Sequence, residues 1–191
     1  MTIGLAQLQG LFRLTWQDPR EGAHAVLSMP MPRNAVWLSV AFVAVLSALL
    51  SGVSQELFPV ELPDGRQPDM PWIIALRQFG QLVILIFSVY WGGRMLDGRG
   101  SLPEVAIVLT WLQLYSLPFQ IGVIILVTIA PLLGAFMFMV VAGYLLYLLV
   151  TFIDIAHALG SVWKAAKMLI LVIVGLALGL SLLLTLVNVS A

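Results

Sequence analysis

From Val105 to Ile153 the chain runs 49 residues without an Asp, Glu, Lys, Arg or His. One straight helix of that length would reach about 74 Å at roughly 1.5 Å per residue, more than twice the roughly 30 Å of a bilayer's hydrocarbon core. The segment must therefore cross a membrane, turn and cross back. Two prolines compete for the turn. A break at Pro118 leaves a first arm of only about 13 residues, too short for the roughly 20 that a crossing needs. A break at Ala130-Pro131 leaves about 26. The turn is placed there, with Gly134 assisting, and Pro118 becomes a kink inside a helix whose freed carbonyls need local partners.

The same length test finds three more spans, so the expected helices cover about 34–54, 72–93, 104–129, 132–157 and 162–187. Gly92-Gly93 reads as the stop of the second, and Gly160-Ser161 as the junction between the fourth and fifth. Composition agrees. The chain is 61% hydrophobic and 9% charged, where a soluble domain carries about 25% charged residues. The expected fold is an all-α polytopic bundle of five transmembrane helices, with lipid as its first partner.

Outside the spans, residues 1–33 form a tail with Leu5, Leu8, Phe12 and Trp16 at helical spacing, a short amphipathic helix. It either docks on a membrane surface or partner, or lies over the ends of its own bundle; a single arginine in it favours the second reading. Asp18-Pro19-Arg20-Glu21 starts another short helix, with an aspartate cap and an early proline. Residues 55–71 hold Pro59, Pro63, Pro68 and Pro71 with Glu56, Glu61, Asp64 and Asp69, a solvated acidic loop. Five crossings place Arg13, Arg20, Arg33, Arg94, Arg99, Lys164 and Lys167 on one side against Arg66 and Arg77 on the other. Seven against two puts the amino terminus in the cytoplasm and the carboxyl terminus outside. The first span follows too long a stretch to read as a cleavable leader.

Several function classes lose their support. Nine basic and nine acidic residues leave no basic surface for nucleic acid. Without cysteine there are no disulfides or thiolate metal sites. Asp154 and His157, three apart on one face, read as an interfacial structural pair within reach of water, Lys164 and Lys167; with His24 far away in the tail, they are too few for zinc. No cofactor or haem is expected. No serine lies in a G-x-S-x-G turn, so enzymatic activity is not expected.

Two polar faces remain. Arg77, Gln81 and Ser88 share one side of the second helix, and Gln113, Ser116 and Gln120 one side of the third. The antiparallel run puts Gln81 and Gln120 in the same outer half of the bilayer, where the two can face each other. They serve either as interhelical hydrogen bonds or as a polar path of a small transporter or channel component. Gly175 and Gly179 in the last helix form a small-xxx-small pair, suited to packing within the chain or to a homo-oligomer or membrane-protein partner.

The order of motifs resembles a known family. Asp18-Pro19-Arg20 is followed by the Gly92-Gly93-Arg94-Met95-Leu96-Asp97-Gly98-Arg99-Gly100-Ser101 turn. Then come Leu114-Tyr115-Ser116-Leu117-Pro118 and Ala158-Leu159-Gly160-Ser161-Val162-Trp163-Lys164-Ala165-Ala166. The chain is similar to the Yip family, the Ypt/Rab-GTPase-interacting membrane proteins, in its bacterial form. The resemblance implies five spans, a cytoplasmic amino terminus and, for a bacterial member, the inner membrane. Eukaryotic relatives bind small GTPases. This chain lacks their Asp-Leu-Tyr-Gly-Pro signature near the first span, which puts a GTPase partner in doubt. The expectation is a non-enzymatic membrane scaffold or accessory factor.

Overall fold

The computed structural model describes residues 4–59 and 70–189. Among them are seven helices and no strands. α1 (Leu5–Gln17) and α2 (Pro19–Leu27) form the tail, followed by α3 (Arg33–Leu57), α4 (Pro71–Met95), α5 (Leu102–Ile129), α6 (Pro131–His157) and α7 (Val162–Val189). The last five are each long and apolar enough to span a bilayer, so the fold is the expected all-α membrane bundle. Of the acidic loop, 60–69 lies outside the described residues, including Glu61, Asp64, Arg66 and Asp69; Glu56 belongs to the last turn of α3.

Local chemistry sets most boundaries. Asp18 Oδ1 accepts from the backbone N–H groups of Arg20 and Glu21 at 3.0 and 3.1 Å, capping α2 with Pro19 at its first position. Ser101 and Glu104 cap α5 reciprocally: Glu104 Oε2 accepts from Ser101 N at 2.7 Å and Ser101 Oγ from Glu104 N at 3.4 Å. α5 continues through Pro118 and ends where Ala130 turns extended, with φ −143° and ψ 83°. The chain then folds straight back, and a Cβ on Gly134 would lie 2.6 Å from the Val127 backbone nitrogen. Glycine is what lets α6 start against α5.

The expected glycine stops are different in the structure. α4 passes through Gly92 and Gly93 to Met95, and its exit is made by Asp97 at φ 60°, a residue type that tolerates the left-handed region. The two glycines are inside the helix because neighbours press on them. A Cβ on Gly92 would lie 2.5 Å from Val172 Cγ2 of α7, and one on Gly93 would overlap the His157 ring. At the end of α6 the left-handed residue is Ala158, φ 51°, with Gly160 following at φ 68°.

α5 is the central helix, packing on α2, α3, α4 and α6, while α7 packs on α4 and α6. Burial is uneven along it. Its buried residues run from Val105 to Ser116 and none lies beyond, and those of α6 are Leu148 to His157 plus Gly134 at the turn. The packed interior therefore sits at the end covered by the tail. Ala23 and Val26 of α2 are fully buried there. α1 does lie over its own bundle, but its inward face is Leu8, Leu11, Phe12 and Thr15. Of the stripe read from spacing, Leu8 and Phe12 lie on the packed face, whereas Leu5 is 79% exposed and Trp16 61% exposed at its margin.

Candidate functional site

Asp154 and His157 are buried, contrary to the water-accessible position expected of them: Asp154 is 1% exposed and His157 fully covered. They make separate contacts rather than a pair. Asp154 Oδ2 accepts from the Arg20 guanidinium at 3.0 Å, and Oδ1 from the backbone N–H of Ser161 at 2.9 Å. The cation that meets this carboxylate thus comes from α2, 134 residues away. Lys164 and Lys167 are exposed on α7. A buried carboxylate with two donors is an anchor: it holds the tail and the α6–α7 turn on one group.

His157 is held by glycines. Cβ atoms on Gly98 and Gly100 would each come within 3.0 Å of its ring, besides the overlap at Gly93. Its Nδ1 lies 3.2 Å from the Ile153 carbonyl, its own carbonyl accepts from Arg99 N at 2.9 Å, and Nε2 has no hydrogen-bond partner. The α4–α5 loop is thereby closed onto the end of α6. An imidazole seated among three backbones fills space that a Cβ would need.

Next to this anchor lies an aromatic tier. Phe12 packs on Trp111 and Tyr115, with ring centroids 5.1 Å away in each case, and Trp16 lies 5.3 Å from Tyr144. Trp111 Nε1 donates to the buried Thr15 Oγ1 at 3.2 Å, and the Tyr115 and Tyr144 hydroxyls are 3.1 Å apart. A Cβ on Gly22 would fall 2.8 Å from Thr15 Cα, so glycine permits α2 to cross α1 this closely.

A second locus occupies the half of the bundle away from the tail. A cavity of about 500 Å³ opens between α3, α4, α5 and α6, lined on its polar side by Ser47, Ser51, Ser54, Gln78, Gln113 and Gln120. Gln120 Nε2 donates to Ser116 Oγ at 2.8 Å, Ser116 Oγ to the Gln113 carbonyl at 2.8 Å, and Gln113 Nε2 to Ser47 Oγ at 3.0 Å. The polar face of α5 therefore bonds to α3. Gln81 does not face Gln120; it lines a smaller neighbouring space with Gln78 and Gln113. Arg77 is exposed on α4. A Cβ on Gly175 or Gly179 would meet nothing within 4 Å among the described residues.

A family model for the Yip1 domain matches residues 13–184. The chain belongs to the Yip1 domain family. No curated protein and no solved structure matches it. In this Yip1 domain the three segments Asp18-Pro19-Arg20, Gly92 to Ser101 and Ala158 to Ser161 converge around Asp154 and His157. Their scattered order in sequence hid that. The missed members are Arg20, Gln78 and the α3 serines. Ser47, Ser51 and Ser54 are spaced by four and three along one helical face, a signal that was available to find them. Arg20 offered none beyond its cap motif. Among the described residues, no group of three His, Asp or Glu is placed to hold a metal.

Proposed function

We propose that this Yip1-domain protein is a non-enzymatic multipass membrane protein that works by associating with other membrane proteins or with a second copy of itself. The observation that carries this reading is the outward position of Gly175 and Gly179. The glycines at 92, 93, 98 and 100 are each filled by a neighbouring part of the chain, whereas those on α7 face open space. A small-xxx-small face left open in a membrane span suits the close approach of another helix. The tail adds only its outer side at Leu5, since its inner side is engaged and Trp16 packs on Phe119 and Tyr144. The seven-to-two distribution of basic residues supports a cytoplasmic tail and an extracytoplasmic carboxyl terminus, and the membrane we infer from the family resemblance is a bacterial inner membrane.

Mass determination after purification in mild detergent tests this. The wild type should run above its monomer mass or retain a membrane-protein partner, and a Gly175→Ile/Gly179→Ile variant should lose that association while remaining folded. A monomer with no co-purifying partner would overturn the proposal.

One observation favours a second reading, a small transporter or channel component: the polar cavity reaches from mid-bundle toward one end. Solute flux in reconstituted vesicles, abolished by Gln120→Leu, would support it; absence of flux across a broad solute panel would remove it.

A further inference from the structure

The distal cavity is lined by four of the membrane-spanning helices and by Phe58, the residue that ends α3. Its lining runs from Ser47 to Ser54 on α3, Gln113 to Val127 on α5 and Phe138 to Leu145 on α6, with Gln78 from α4. Apart from Gln113 and Leu145, which lie within three residues of mid-helix, these residues belong to the half of each helix away from the tail. Toward the tail the interior is closed by packed side chains, among them Val36, Val40, Ile86, Leu109 and Ile153. The space is a pocket with a floor near mid-depth. α3 and α6 both pack on α5 without extensive contact with each other, which leaves the pocket between them.

Its chemistry is divided. One side carries neutral amides and hydroxyls, the other Val123, Val127, Phe138 and Val141, and no lining residue is charged. The Gln78 amide makes no hydrogen bond to another described residue. Its donor and acceptor are left to whatever fills the cavity, and a polar group left unsatisfied among apolar neighbours is costly. An ionic occupant would sit without a counter-charge. A molecule with hydrogen-bonding but uncharged atoms beside a long apolar part meets both walls, and in this solvent the abundant molecule of that kind is a membrane lipid. A volume of about 500 Å³ falls within the roughly 300–1,000 Å³ of ligand pockets.

We propose that this pocket binds a membrane lipid, taking its uncharged glycerol-ester region against Gln78, Gln113 and Gln120 and an acyl chain against the apolar wall of α5 and α6. The site is independent of the partner association proposed above. It needs no second protein and no solute flux, so a monomeric protein would leave it standing.

Photolabelling tests it. The full chain is reconstituted in phosphatidylcholine vesicles doped with a diazirine-bearing diacylglycerol, or with a diazirine-bearing fatty acid as the charged comparison, and labelled peptides are mapped. Diacylglycerol should label 123–127 and 138–145 at least fivefold above the lipid-facing stretch 170–180 of α7, and unlabelled diacylglycerol should compete. Gln78→Leu should reduce that excess several-fold. Ala142→Phe, which adds bulk at the wall without removing a hydrogen bond, should abolish it while labelling of α7 stays unchanged. Uniform labelling of all lipid-facing segments, an excess insensitive to both variants, or equal labelling by the fatty acid would each overturn the proposal.

Discussion

The two halves of this bundle are built from equally apolar helices and pack to opposite degrees. At the tail end, α5 is buried from Val105 to Ser116, α6 from Leu148 to His157, and α7 contributes Ala165, Met168, Leu169 and Val172. At the other end, Leu132, Phe136, Met139, Leu178 and Leu182 are all more than 60% exposed. Hydropathy does not separate these halves, because in lipid an apolar side chain gains little by leaving its solvent. What differs is the supply of close approach and polar anchoring. The packed half has glycines under neighbouring groups, a carboxylate with two donors and a tail laid across it; the open half has the hairpin at Gly134 and a hydrogen bond from Gln113 to Ser47.

That contrast can be broken most severely at Gly93. Gly93→Leu would drive a side chain into the His157 ring and should cost about 3 kcal/mol or more, at or beyond the top of the usual overpacking range, read as a fall in thermal midpoint in detergent. Combining it with His157→Ala should recover part of the loss, and a strictly additive double variant would show that the two residues do not share one space.

Arg20→Ala comes next. It removes one of two donors from buried Asp154 and should cost about 2–3 kcal/mol, below the roughly 3–5 of a fully buried pair because Arg20 keeps half its surface in water. Limited proteolysis should then cut within residues 4–30 faster than in the wild type. Replacing both partners, Arg20→Met with Asp154→Leu, should restore much of the stability.

Thr15→Val leaves the Trp111 indole N–H without its acceptor and should cost roughly 1–2 kcal/mol, with a change in tryptophan fluorescence as the tail loosens. Smallest of all, Ser47→Ala in the open half should cost roughly 1 kcal/mol or less, in keeping with interhelical hydrogen bonds in membranes. If Ser47→Ala proved as damaging as Arg20→Ala, the two halves would be held equally and the comparison would fail.

The spans were legible because they rest on length and solvent: 49 residues without charge can only cross and return, and Ala130-Pro131 was the break that left two arms long enough. The α2 cap was equally readable, since Asp18-Pro19 acts on its own next few residues. Contacts between distant segments were not. Gly92 and Gly93 look like a helix end when only neighbours in sequence are considered, and their reason to be small is His157 and Val172, which the sequence does not place there. Asp154 looked wet because it ends a span; burial depended on α2 arriving over it. Counting from helix ends fixes the depth of Gln81 and Gln120 and leaves rotation about each axis open, and it is rotation that gives Gln113 to Ser47 instead.

The bond between Arg20 and Asp154 also orders events in time. Its acceptor leaves the ribosome 134 residues after its donor, so this bond cannot fasten α2 until α6 has been made. Until α6 is in place α2 has no carboxylate to close on, and a chain arrested before that point would hold its tail through α5 alone.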